Sequence, residues 1–283
     1  MPLVPTSQIM QAAVAGGYGQ GAFNVIHLET AQALVSGAEQ AGLPVILQIS
    51  ENCVKYHGRL RPIAAASLAL AEEASVPVSL HLDHAEDEEL VYRALDLGFG
   101  SVMYDGAKLP FGENVAATQR VVAAARAASA TVEAELGEIG GKDGAHAPGV
   151  RTDPDEAVQF VELTGIDSLA VAVGSSHAML ERGASLDLDL ISRLHRALEV
   201  PLVLHGSSGV PDATLVAGIE AGMRKINVST HLNGFFTRAV RQWLAANEQA
   251  VDSRKYLGAG RTAMAAEAAR MLELFASAGR SRA

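Results

Sequence analysis

Three histidines, His84, His177 and His205, stand at or just beyond the ends of short apolar runs in well-separated parts of the chain. Three neutral imidazoles brought to one place can hold a divalent cation and leave coordination positions open, which is how a catalytic zinc site differs from a structural one. A single histidine at a strand end is more often a hydrogen-bonded structural residue. Three at equivalent positions argue for a shared site. The remaining six (His27, His57, His81, His146, His195 and His231) have no such pattern. His81 lies inside an apolar run and is expected in packing, and His195, on a helical stretch, in solvent.

Carboxylates accompany the histidines. Asp83 directly precedes His84. It could move a proton on a substrate hydroxyl or orient a metal-bound imidazole, and the residues alone leave both roles open. Asp105 and Glu135 end two further runs. They could hold a second cation, orient the histidines, or pair with a lysine such as Lys108 or Lys142. His205-Gly206-Ser207-Ser208-Gly209 and Asn227-Val228-Ser229-Thr230 would expose backbone N–H groups suited to a phosphate, and Gly174-Ser175-Ser176 could add to the same pocket.

These residues need a scaffold that brings distant segments together. Eight strand candidates (Gly21–Val25, Pro44–Ser50, Val78–Asp83, Ser101–Asp105, Thr131–Gly137, Ser168–Gly174, Pro201–His205 and Lys225–Ser229) alternate with helical stretches such as Glu29–Ala41, Ile63–Ala74 and Val115–Ala128. Repeated strand–helix–strand order predicts a parallel sheet. Eight repeats favour a closed α/β barrel, a (β/α)8 TIM barrel, over the alternative of an open doubly wound sheet. In such barrels the site lies at the C-terminal strand ends. Here those ends carry Asn24, Ser50, Asp83-His84, Asp105, Glu135, the turn before His177, His205 and Asn227. Gly137 to Thr152 holds five glycines and no helical period, as a lid loop would. A further loop from Val251 and a final helix over Ala259–Ala276 form a C-terminal helical extension. No linker or composition shift divides residues 1–283, so one domain is expected.

At 283 residues, 49% hydrophobic and 19% charged, the chain can bury a large core. Its net charge of −10 argues against nucleic acid as a partner. Cys53 is the only cysteine, which excludes an intrachain disulfide and fits a reducing compartment. With no signal-like leader and no long apolar stretch, a soluble cytoplasmic protein without membrane partners is expected.

Four segments taken together are recognisable. Val78-Ser79-Leu80-His81-Leu82-Asp83-His84, Val132-Glu133-Ala134-Glu135-Leu136-Gly137 with Gly140-Gly141, Val203-Leu204-His205-Gly206-Ser207-Ser208-Gly209 and Lys225-Ile226-Asn227-Val228 resemble the class II fructose-bisphosphate and tagatose-bisphosphate aldolases. The resemblance runs from Gly21-Ala22-Phe23-Asn24 to the tail. It implies catalytic zinc on His84, His177 and His205, proton exchange with the substrate C4 oxygen by Asp83, and a second divalent position at Asp105 and Glu135. It implies that Asn24, Gly206 to Ser208 and Asn227 to Thr230 (Asn227, Val228, Ser229, Thr230) bind the dihydroxyacetone phosphate half. Ser50 would lie near the aldehyde half, and Arg254 would reach the far phosphate, in this family from a neighbouring subunit. A homodimer or homotetramer, a sugar bisphosphate substrate, a role in glycolysis and gluconeogenesis, and a monovalent cation are further expectations. Two departures stand out. Ala178 follows His177 where the family usually has glycine, which tolerates positive φ far better. Asp143 replaces the family's usual glutamates in the lid and is expected to be its catalytic carboxylate. A metal-dependent barrel hydrolase fits less well, because Phe23-Asn24-Val25-Ile26-His27 lacks the His-x-His common there. A silent sugar-phosphate-binding protein fits less well given the full ligand set and Asp83.

Overall fold

Short runs rich in Val, Ile and Leu become the eight parallel strands of a closed barrel, in the order β1 to β8. The computed structural model describes residues 2–136, 151–176 and 182–279. The strands are β1 Gln20–Asn24, β2 Val45–Ser50, β3 Val78–Ala85, β4 Ser101–Tyr104, β5 Thr131–Leu136, β6 Ser168–Val171, β7 Leu202–Leu204 and β8 Met223–Val228. Around them lie α1 Thr6–Gly16, α2 Leu28–Ala41, α3 Glu51–His57, α4 Leu60–Glu73, α5 Glu88–Asp96, α6 Phe111–Ala127, α7 Pro154–Thr164, α8 Leu188–Ala197, α9 Asp212–Ala221, α10 Thr230–Ala246 and α11 Ser253–Ala278. Among these described residues no helix is long and apolar enough to cross a membrane.

Local chemistry sets the helix ends. The side chains of Asp87, Asp153, Asp187 and Asp252 accept N–H groups in the first turns of α5, α7, α8 and α11. His27 and Thr30 form a reciprocal cap on α2. The final helix is longer than the Ala259–Ala276 expected: Asp252 caps it at Ser253, so the loop after Val251 is very short.

Barrel strands are covered by helices outside and by one another inside, so outward strand residues such as Leu47, Leu80 and Leu82 form the main apolar core with helix residues such as Leu34, Phe160 and Phe275. The inside is layered. At the N-terminal end Ile9 and Met10 of α1 pack on Ala22 and Ile46. Higher up, Met103, Ala170 and Val203 make a separate apolar cluster. Gln48, His81, Glu133 and Lys225 are also buried, each at most 2% exposed.

The C-terminal extension is part of the wall. Gly37 lets α2 approach α11 closely: a Cβ there would lie 2.6 Å from the Ala265 carbonyl oxygen and 2.8 Å from the Ala268 Cβ. On the other side Glu267 of α11 accepts hydrogen bonds from His231 of α10 (2.6 Å) and from Arg270 (2.6 and 2.9 Å), and Arg270 continues to Asp212 of α9 (2.7 Å). Burial alone would raise the Glu267 pKa, but the hydrogen bonds from Arg270 and His231 outweigh it and bring it from 4.5 to about 2. A depressed folded-state pKa stabilises fully above pH 4.5, and that stabilisation is lost as pH falls toward 2. Glu267→Gln is therefore expected to cost about 1–3 kcal/mol at pH 7. Urea unfolding midpoints measured against pH should fall less between pH 4.5 and 2 in the variant than in the parent.

Candidate active site

Strand alternation decides which polar residues enter the barrel. On β3 a period of two puts His81 and Asp83 on the inside. By the same rule His84 should face outward. The β3–β4 register shifts between Leu82 and Ala85, and His84 takes φ 48°, in the left-handed region. The irregularity breaks the alternation and lets Asp83 and His84 both reach the mouth. β3 runs on past both residues to Ala85, so the irregularity lies within the strand and not at its end.

Each histidine is gripped from behind. His84 Nδ1 lies 2.7 Å from Asp105 Oδ2 and 3.7 Å from Glu135 Oε2. His205 Nε2 lies 2.8 Å from Glu133 Oε1. The ring nitrogens left over, His84 Nε2 and His205 Nδ1, face each other at 2.9 Å. With each outer nitrogen donating to a carboxylate, the inner pair presents two lone pairs to one point. Lone pairs so placed repel unless a cation lies between them. Two nitrogens on a tetrahedral divalent metal sit about 3.3 Å apart, so the donor set fits such an ion with a shift of a few tenths of an ångström. Asp83, His84 and His205 offer ligand atoms all within 4.8 Å of one another, as do His84, Asp105 and Glu135. The first group is the expected catalytic position without its third histidine, and the second is the expected alternate position. His177, Ala178 and Asp143 lie outside the described residues. The turn leading to His177 packs against His205-Gly206, because Gly206 lies against the Ser176 backbone.

Asp83 is 4% exposed. Burial would raise its pKa, but the pull of His84, His205 and Lys225 and a hydrogen bond from Asn24 hold it below the ordinary value. Asn24 Nδ2 donates to Oδ2 at 2.8 Å, while Oδ1 has no partner among the described residues. Asp83 is thus a fixed, ionised base with one acceptor oxygen to spare.

These groups floor a cleft of about 390 Å3 that is also lined by Ser50, Gly206, Ser207, Ser208, Asn227, Ser229 and Thr230. Gly206 adopts φ 68° and starts a short 3-10 turn over Ser207–Gly209. The Ser208 hydroxyl accepts N–H groups from Ser229 (3.4 Å) and His231 (3.1 Å) at the start of the 17-residue helix α10. The two expected phosphate loops therefore meet at one helix N-terminus, which favours an anion. The Asn227 side-chain amide lies beside the His205 ring, with Nδ2 3.0 Å from Nε2 and 3.3 Å from Nδ1. Val228 does not line the cleft, because its side chain is fully buried in the main core. Ser50 caps α3, accepting the Cys53 N–H at 3.2 Å. Arg254 does not line this cleft: its side chain is 89% exposed and pairs with Asp252 of the same chain.

Some site residues escaped the sequence reading. Lys55 and Lys108 line the cleft, paired with Glu51 (2.8 Å) and with Glu86 (3.4 Å). Only Lys55 of these two went unread: Lys108 was one candidate partner for Asp105 or Glu135 and pairs with Glu86 instead, while the other candidate, Lys142, lies outside the described residues. Glu133 and Lys225 lie beneath the site, and a signal for them existed. Each stands two residues before a recognised strand-end residue, Glu135 or Asn227, and so shares its face. His81 is buried as expected but in polar company, 2.7 Å from Ser101 Oγ; burial and Lys225 hold its pKa well below the usual value, so it is neutral.

A polar mouth on a (β/α)8 barrel, with paired histidines and carboxylates that could hold a metal ion beside a helix end suited to an anion, fits an enzyme of phosphorylated compounds. Residues 4–280 match the family model for fructose-bisphosphate aldolase class-II. A probable fructose-bisphosphate aldolase of Bacillus subtilis is 42% identical over 93% of this chain and 94% of its own length. A fructose-bisphosphate aldolase of Thermus caldophilus is 41% identical over 99% of this chain and all of its own. Among solved structures the YdjI aldolase of Escherichia coli superposes with a TM-score of 0.84 at 31% identity, covering 99% of this chain and all of that one. The chain belongs to the class II fructose-bisphosphate aldolase family and is an aldolase, a lyase acting on sugar phosphates.

Gly206 offers a direct check on the site's construction. A Cβ there would meet the Ser176 backbone at 2.7 Å, on a residue already at φ 68°. Gly206→Ala is expected to lower stability by about 1–3 kcal/mol, measured by urea unfolding, and to weaken phosphate binding in calorimetric titrations.

Proposed function

We propose that this protein is a zinc-dependent fructose 1,6-bisphosphate aldolase that reversibly forms dihydroxyacetone phosphate and glyceraldehyde 3-phosphate, as a cytoplasmic step of glycolysis and gluconeogenesis. One observation carries the reading: the ionised Asp83, with Oδ2 held by Asn24 and Oδ1 left over, sits in the same cleft as the facing nitrogens of His84 and His205. That pairs a base with a Lewis-acid site, the two groups needed to break a carbon–carbon bond next to a ketone.

His84, His177 and His205 hold the zinc, and Asp105 and Glu135 offer a second position beside His84. When bound, the metal supplies Lewis acidity for the ketone oxygen, where negative charge grows as the bond breaks. Asp83 Oδ1 takes the proton from the C4 hydroxyl, and the electrons of that O–H bond close the aldehyde carbonyl as the C3–C4 bond opens. The N–H groups of Gly206 to Ser208 and the start of α10, with Asn24 and Asn227, fix the dihydroxyacetone phosphate half. Ser50 faces the aldehyde half. Asp143, in its protonated form, gives a proton to the new carbanion carbon, and Asp83 releases the C4 proton to solvent. Arg254, solvent-exposed and outside its own cleft, reaches the far phosphate in a neighbouring subunit of a homo-oligomer.

Steady-state cleavage tests each part. A tight chelator should abolish activity and added zinc restore it; cleavage that survives complete metal removal would exclude the metal's role. Asp83→Asn should lower kcat by about 10²–10⁴-fold with KM and zinc content little changed. Fructose 1,6-bisphosphate should be cleaved with a higher kcat/KM than tagatose 1,6-bisphosphate or a ketose 1-phosphate. Preference for either of the others overturns the substrate assignment. Zinc-loaded protein that cleaves none of them is a binding protein instead.

A further inference from the structure

Beneath the cleft, one buried lysine is joined to both working halves of the site. Lys225 Nζ donates to Glu133 Oε2 at 2.8 Å and to Gln48 Oε1 at 2.7 Å. The Glu133 branch is short: its other oxygen accepts from His205 Nε2 at 2.8 Å. The Gln48 branch runs further. Gln48 Nε2 donates to Asn24 Oδ1 at 3.2 Å, and Asn24 Nδ2 donates to Asp83 Oδ2 at 2.8 Å. No member of this network is more than 9% exposed.

The direction of the long branch follows from chemistry at both ends. An ammonium has donors only, so the Gln48 atom facing Lys225 must be its oxygen. That turns the Gln48 NH2 toward Asn24, so Asn24 must present its oxygen there and its own NH2 to Asp83. Starting from the other end, an ionised carboxylate accepts only, which demands the same Asn24 orientation. The short branch is equally constrained. Glu133 can only accept, so His205 carries its proton on Nε2 and keeps Nδ1 as a lone pair aimed at His84 Nε2; the Asn227 amide, whose Nδ2 lies 3.0 Å from Nε2 and 3.3 Å from Nδ1, then donates to Nδ1 or turns its unpartnered Oδ1 to Nε2.

We propose that Lys225 is the positioning residue of this active site, holding His205 in its metal-binding tautomer through Glu133 and aiming Asp83 through Gln48 and Asn24. Lys225 enters from the N-terminal half of β8 and touches neither metal nor substrate. Its contribution is one fixed set of donors from which both alignments descend. The assignment of catalytic work to Asp83 rests on the aldolase reading, whereas the tautomer of His205 does not.

Three measurements test this. In metal-free wild-type protein, long-range 1H–15N correlation spectra should show His205 protonated on Nε2 and bare on Nδ1. The opposite tautomer would overturn the short branch, and this result stands whatever sugar the enzyme cleaves. Gln48→Glu tests the long branch by direction alone. A glutamate still accepts from Lys225 but cannot donate to Asn24, which must then flip and turn its oxygen toward Asp83. The expected result is a kcat lowered 10- to 100-fold, with KM and zinc affinity within about threefold of wild type. A merely structural Gln48 would leave kcat unchanged, and that outcome overturns the branch. Lys225→Met should weaken zinc binding about 10- to 100-fold in chelator competition and lower kcat as well. Because it strands Glu133, the double variant Lys225→Met/Glu133→Gln removes both charges as a pair and should fold while still losing the Nε2–H tautomer preference and the kcat. Wild-type zinc affinity and kcat in the folded double variant would overturn the proposal.

Discussion

Two imidazole nitrogens facing each other at 2.9 Å, each ring fixed by a carboxylate on its far side, impose the tightest constraint in this molecule. With both far nitrogens donating to carboxylates, such a pair is stabilised by a positive charge between the rings. Everything that holds it costs folding free energy: an interrupted β3–β4 register, a histidine at φ 48°, and carboxylates taken out of water. Strands β3 and β7 are not neighbours in the barrel, so closure of the sheet is what brings His84 and His205 within bonding range. A cation bound there offsets these costs only in the folded state, since the unfolded chain separates the two residues by more than a hundred positions.

Charge balance inside the barrel argues the same way. Asp83, Asp105, Glu133 and Glu135 are all buried, and Lys225 is the one buried cation among the described lysines and arginines. Four carboxylates against one ammonium leave an excess of negative charge that a dication would relieve. The same excess would repel a phosphate at the barrel axis. The anion-binding groups accordingly sit to one side, at the Gly206–Ser208 turn and the N-terminus of α10, where backbone N–H groups rather than side-chain charges face the cleft.

The strands were legible in the sequence because parallel strands are buried on both faces and read as nearly continuous apolar runs. All eight fall within three residues of their expected limits, and the strand ends pointed to the mouth. Less legible were features without a local signature. Nothing in Leu82-Asp83-His84-Ala85 announces an interrupted register or a left-handed histidine. The short helix α3 that carries Lys55 into the cleft is too brief to show a period. The start of α11 was missed although Asp252 is a good cap, because helical spacing in an alanine-rich stretch gives little contrast. Glu133, Lys225 and Gln48 are hidden for a different reason: they lie within apolar runs and not at strand ends, where period-two alternation carries the polar surface one layer deeper.

That deeper layer also agrees with the metal chemistry proposed for this site. Cleavage beside a ketone needs an electron sink, and a lysine can provide one as a Schiff base only if its amine is free to attack. The buried lysine here is tied by two short hydrogen bonds to Glu133 and Gln48 and lies below the floor of the cleft. Lys55 and Lys108 are at the rim, with side chains 68% and 44% exposed and each in an ion pair. Solvated and paired amines of that kind are poor nucleophiles at neutral pH, since activation of a lysine requires desolvation or a neighbouring positive charge. With the described lysines of the cleft and its floor committed elsewhere, the facing nitrogens of His84 and His205 are a place where growing negative charge can be met, and Lys225 serves that place by holding its ligands.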